Sequence, residues 1–110
     1  PVMTTSGAWL ILLAAGIFEV GWAVGLKYTE GFTRLIPSAL TAAAMGISVV
    51  LLGIAVRHLP LGTAYTIWTG IGAVGAFVIG IHFLGEPLTA LRVVAAVLIV
   101  SGLVLMKLSS

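Results

Sequence analysis

AWLILLAAGIFEVGWAVGL, residues 8–26, is an apolar run interrupted by one charge, Glu19. Crossing a hydrocarbon core of about 30 Å takes roughly 20 helical residues, so this stretch is long enough to span a bilayer as a helix with its acid near the middle. It lies near the N-terminus, as a cleaved leader does. It has no basic start, is too long for a leader's apolar region and carries an acid, so it reads as a spanning helix instead.

Outward from that stretch, three more runs have the same character: 35–56 with no charge, 61–84 with only His82 among titratable groups besides Tyr65, and 88–106 with Arg92 one turn in. The segments between them, KYTEGFTR at 27–34, RHLPLG at 57–62 and GEP at 85–87, place glycine or proline beside charge, as connections do. Pro37, Pro60 and Pro87 sit at or just before helical starts, where a missing N–H costs nothing. The expected architecture is an all-α integral membrane protein: a single four-helix transmembrane domain over residues 1–110, with helices near 8–26, 35–56, 61–84 and 88–106.

Composition agrees. Of 110 residues, 61% are apolar and 7% charged, where a soluble domain carries about 25% charge, and the mean hydropathy is +1.29. A water-soluble enzyme is excluded. There is no Asp, Asn, Gln or Cys, so no disulfide or thiolate metal site can form, and no His/Glu spacing resembles a metal centre. No cofactor is implied. A net charge of +2, scattered along the chain, is no nucleic-acid footprint.

Many transporters obtain two-sided symmetry from inverted repeats within one chain, and the two halves of this sequence show no such repeat. With four spans, both termini and the second connection share one side, holding Arg57, Lys107 and the terminal amine. The other side holds Lys27, Arg34 and Arg92. Lys/Arg bias sets orientation, and here it is balanced. The expectation is dual topology and, from it, an antiparallel homodimer.

Glu19 is the most informative residue. An acid at this depth costs at least about 2.5 kcal/mol on insertion scales and normally faces an interior where it performs a function. Burial disfavours an unpartnered carboxylate, so a carboxyl here is set to take up and release protons. Leu12, Ala15, Gly16, Trp22 and Ala23 share its helix face: small residues leave space beside the acid, and an indole walls it. The alternative is a neutral glutamic acid that only bonds helices together.

The third helix places Tyr65, Trp68, Thr69 and Gly72 on one face, where two aromatic rings can box a cation; interfacial belts use the same residues. Ser48 lies near the middle of the second helix, positioned to donate to a carboxylate across the bundle or to its own backbone. Gly70, Gly72 and Gly75 loosen the third helix, for close packing or for a bend. Ala95 and Gly102, seven residues apart on the fourth helix, form a small-residue stripe suited to dimer packing. Arg34, Arg57, Arg92 and Lys107 read as interfacial anchors with Lys27 snorkelling, Glu30 and Glu86 as solvated loop acids, Trp9 and His58 as interfacial, and His82 as partly buried.

GIFEVGWA at 16–23, KYTEGFTRLIPS at 27–38 and PLGTAYTIWTGIG at 60–72 resemble the small multidrug resistance transporters, and within them the guanidinium-exporter subtype. The resemblance runs from Trp9 to the C-terminus. It implies that Glu19 binds protons and substrate in turn, that Trp22, Ser48, Tyr65 and Trp68 complete the site, and that Gly70 and Gly72 form a flexible pair. The subtype rests mostly on Trp22, where broad drug exporters usually carry small residues. Ala95 departs from the glycine that many relatives carry in the dimer stripe, and His82 is a further departure.

The resulting expectation is a proton-coupled antiporter of the bacterial inner membrane that exports guanidinium and small substituted guanidinium ions. Its partners are a second copy of itself, the organic cation, protons and the bilayer. Its nearest rival is a quaternary-ammonium or multidrug exporter of the same family. More distant rivals are a non-transporting assembly subunit, in which Glu19 only pairs helices, and a passive channel, which the scarcity of pore-lining charge opposes.

Overall fold

Three short connections rich in glycine, proline and threonine fix where the helices stop. The computed structural model describes residues 5–109, which form α1 (Thr5–Tyr28), α2 (Leu35–Ala55), α3 (Leu61–Phe83) and α4 (Ala90–Leu108). The terminal amine counted in the charge balance lies outside the described residues. All four helices are long and apolar enough to cross a membrane; even α4, with 19 residues, covers about 29 Å at 1.5 Å per residue.

Helix α4 starts at Ala90, later than residue 88, because Thr89 caps it. With φ −114° and ψ 159°, Thr89 is extended, and its hydroxyl accepts the Arg92 amide at 3.2 Å, one of the donors that a helix start leaves without a partner. At the end of α3, Gly85 takes a left-handed φ of +70°. The chain then folds back so that the Leu84 and Glu86 amides both donate to the Gly80 carbonyl at 3.1 Å.

The 29–34 connection is held by a threonine. Thr29 is buried; its hydroxyl donates to the Leu26 carbonyl at 2.8 Å and accepts the Phe32 amide at 3.2 Å. Its carbonyl receives the amides of Thr33 and Arg34. These bonds hold Glu30 and Phe32 at φ +50° and +65°, a left-handed conformation that costs a non-glycine residue about 1–2 kcal/mol.

Helix α1 is the central element. It packs on α2 and α3, which touch each other only slightly, and the α4 backbone approaches α3 alone. The core draws on Ala8, Leu12 and Ala15 of α1, Ala55 and Leu59 around the end of α2, and Ala64, Ile67 and Trp68 of α3. Alanines dominate because helices in lipid associate by close packing, which small residues permit.

A closed four-helix bundle is therefore not what the chain forms. No residue of α4 is buried, and the molecule is a slab of 41 × 36 × 17 Å. Lipid solvates an apolar helix as well as protein does, so α4 does not need to be buried against α1 and α2.

Candidate functional site

The site is set by a buried relay across three helices. Trp68 of α3 donates its indole N–H to Ser48 Oγ of α2 at 2.9 Å, and Ser48 Oγ donates to the Ala15 carbonyl of α1 at 2.6 Å. Ser48 and Ala15 are fully buried and Trp68 is nearly so. An indole N–H inside a protein needs an acceptor, and Ser48 supplies it while passing its own proton onward. Neither expected partner of the Ser48 hydroxyl, a carboxylate or its own helix backbone, receives its proton: α1 and α2 are close enough that it reaches the α1 backbone one turn before the acid.

Glu19 follows that carbonyl by one helical turn. It is half-buried, its carboxyl lies against Gly72 of α3, and a β-carbon on Gly72 would collide with it. Glu19 Oε1 is enclosed and has no hydrogen-bond partner among the described residues, and the same is true of the Trp22 indole nitrogen on the next turn. One face of α1 thus presents an acceptor and a donor, both removed from solvent and both unsatisfied. Buried polar atoms seldom remain so.

Tyr65 stacks near Trp68 with ring centroids 5.5 Å apart and planes inclined at 46°. It is 52% exposed where Trp68 is 8% exposed, so the pair runs from the relay to the surface of the protomer. Thr69, on the same face, directs its hydroxyl to its own helix, at 2.9 Å from the Tyr65 carbonyl and 3.1 Å from that of Thr66.

Helix α3 is continuous through its glycines. Gly70 faces Leu103 of α4, Gly75 faces Val20 of α1, and each position has no room for a β-carbon. Gly72 was legible in the sequence as a member of the Tyr65–Trp68 face, but its service as the wall beside Glu19 was not. On α4, Ala95 and Gly102 are exposed, and a β-carbon on Gly102 would meet open space.

Several peripheral residues differ from expectation. Glu86 is not a freely solvated loop acid: its carboxylate packs against Gly80 and pairs with Arg92 Nη2 at 3.6 Å, because the turn at Gly85 brings it back over α3. Arg92 in turn lies over the Phe77 ring, 5.2 Å from its centroid. His82, in the last turn of α3, is exposed and not partly buried. Lys107 sits over the Trp9 ring at 4.7 Å, joining the far ends of α4 and α1.

The family model for Small Multidrug Resistance proteins matches residues 7–99. This chain belongs to the small multidrug resistance family. Family members of similar sequence include the guanidinium exporter of Salmonella typhimurium strain LT2, 57% identical over 94% of this chain and 98% of that protein. Those of Citrobacter freundii and Escherichia coli K12 are 55% and 54% identical over the same shares. With its four spans, this small multidrug resistance protein is a multi-pass transporter of the bacterial inner membrane.

Proposed function

We propose that the chain exports guanidinium and small substituted guanidinium ions in exchange for protons, as an antiparallel homodimer in which the two Glu19 carboxyls alternate between proton and cation. The observation that carries this reading is the enclosed, unpartnered Glu19 Oε1 beside the equally unpartnered Trp22 N–H. A buried acceptor left unmade costs about 1–3 kcal/mol, and a proton or an N–H-bearing cation removes that cost. The names of the relatives, guanidinium exporters at 54–57% identity, favour guanidinium as that cation.

Guanidinium is planar and presents its N–H donors as a fork that fits a carboxylate, and it stacks on aromatic faces. Glu19 supplies the carboxylate; Trp22, Tyr65 and Trp68 supply the faces; Ser48 holds Trp68 in place. A carboxyl that carries a proton no longer pairs with the cation, so occupancy by one excludes the other. This competition couples the two fluxes if the site changes its accessible side only when loaded.

Two oppositely inserted copies make the inward-open and outward-open forms the same structure seen from opposite sides, so exchange requires the protomers only to swap conformations. Gly70 and Gly72 serve as the hinge for that swap. The exposed stripe of α4 at Ala95 and Gly102 forms the contact between copies.

The test is exchange in reconstituted vesicles. Guanidinium added on one side is expected to release protons, and an imposed proton gradient to concentrate guanidinium; Glu19→Gln abolishes both. A stronger response to tetraalkylammonium than to guanidinium assigns the protein to broad cation export instead, and full activity of Glu19→Gln makes the acid a helix-pairing group.

A further inference from the structure

We propose that a cleft between the C-terminal ends of α1 and α3 and the start of α4 binds the phosphate of an anionic phospholipid between Lys27 and Arg92. The cleft, of about 350 Å³, brings Lys27 together with Arg92, Glu86 and Phe77, and Ala23, Val24, Ala73 and Ala76 line it toward the membrane interior. It is separate from the Tyr65–Trp68 pair and does not use the Glu19 carboxyl.

Three features select the ligand. Lys27 is exposed and forms no ion pair among the described residues. Arg92 is held by two partners, with Nη2 on Glu86 at 3.6 Å and its guanidinium over Phe77, yet its Nε is enclosed with no acceptor among the described residues. Two cations against one carboxylate leave an excess positive charge, and both Lys27 and Arg92 keep donors for an oxyanion. The cleft therefore complements a phosphate and not a cation.

Position selects lipid over a soluble phosphate. Lys27 is in the last turn of α1 and Arg92 in the first turn of α4, at the helix ends where a bilayer's headgroups lie. The apolar wall below continues between α1 and α3, where an acyl chain covers surface that inorganic phosphate would leave bare. Basic pockets between membrane helices recognise acidic headgroups in this way, at roughly 1 kcal/mol per Lys or Arg near the surface, a fivefold effect on affinity.

The full chain in detergent, titrated with phosphatidylglycerol or with phosphatidylcholine of the same acyl chains and read by native mass spectrometry, tests this. Phosphatidylglycerol is expected to be retained preferentially. Lys27→Gln is expected to lower its affinity about fivefold without changing that of phosphatidylcholine, Lys27→Arg to restore it, and Arg57→Gln, at the opposite end of the helices, to leave it unchanged. Equal retention of the two lipids overturns the proposal, as does an unaltered preference in Lys27→Gln. Displacement of phosphatidylglycerol by millimolar inorganic phosphate overturns it too, by making the site one for free anions.

Discussion

The carboxyl of Glu19 fills the space that a β-carbon on Gly72 would occupy. One helix supplies an acid and its neighbour supplies the absence of a side chain, so α1 and α3 approach closely where the carboxyl lies.

Gly72→Ala is accordingly expected to expel the Glu19 carboxyl and to lower guanidinium exchange at least about tenfold, which corresponds to only about 1.4 kcal/mol of lost binding. Circular dichroism should report unchanged helicity, since alanine is the better helix former. Gly53→Ala, where a β-carbon meets open space, is the control and should retain activity. Normal exchange by Gly72→Ala would show that the contact does not position the acid.

The pH dependence follows from competition. If, as proposed, the cation pairs with the ionised Glu19 carboxyl and a proton blocks that pairing, guanidinium affinity should rise with pH. In the range where the carboxyl is protonated it should fall by about tenfold per pH unit for each proton displaced. Isothermal titration across pH measures this, and the slope should vanish together with binding in Glu19→Gln. A pH-independent affinity in the unmodified protein would contradict competition at the acid.

Ser48→Ala removes the acceptor of the Trp68 indole and the donor to Ala15 in one change. A loss of about 1–3 kcal/mol in unfolding free energy is expected, the cost of an orphaned buried donor. Trp68→Phe in the same background should cost less than it does alone, because the two residues share one hydrogen bond. Chemical unfolding of the four variants in mixed micelles reads the cycle; additive losses would mean that the bond carries no coupling.

Gly102→Leu places a large side chain at an exposed α4 position where a β-carbon meets no other atom of the described residues. The fold should persist, while a dimer packed through that stripe should dissociate, with light scattering in detergent showing a shift to monomer and vesicle exchange lost. A variant that remains dimeric would move the contact away from Gly102.

The four spans were legible in the sequence because hydrocarbon imposes a length and an apolar composition on any helix that crosses it, a constraint local to each segment. Glu19 was legible for the same reason, as an acid where solvent is absent. What depended on the tertiary structure is which backbone lies beside which. Ser48 bonds Ala15 and not an acid, Gly72 makes room for Glu19, Glu86 returns to Arg92, and the α4 backbone approaches that of α3 alone. These pairings depend on differences of a few tenths of an ångström in how helices of nearly uniform apolarity approach one another, and hydropathy cannot rank one helix neighbour above another when all faces are equally at home in lipid. Close packing and single hydrogen bonds make that choice, and they exist only once the helices are together.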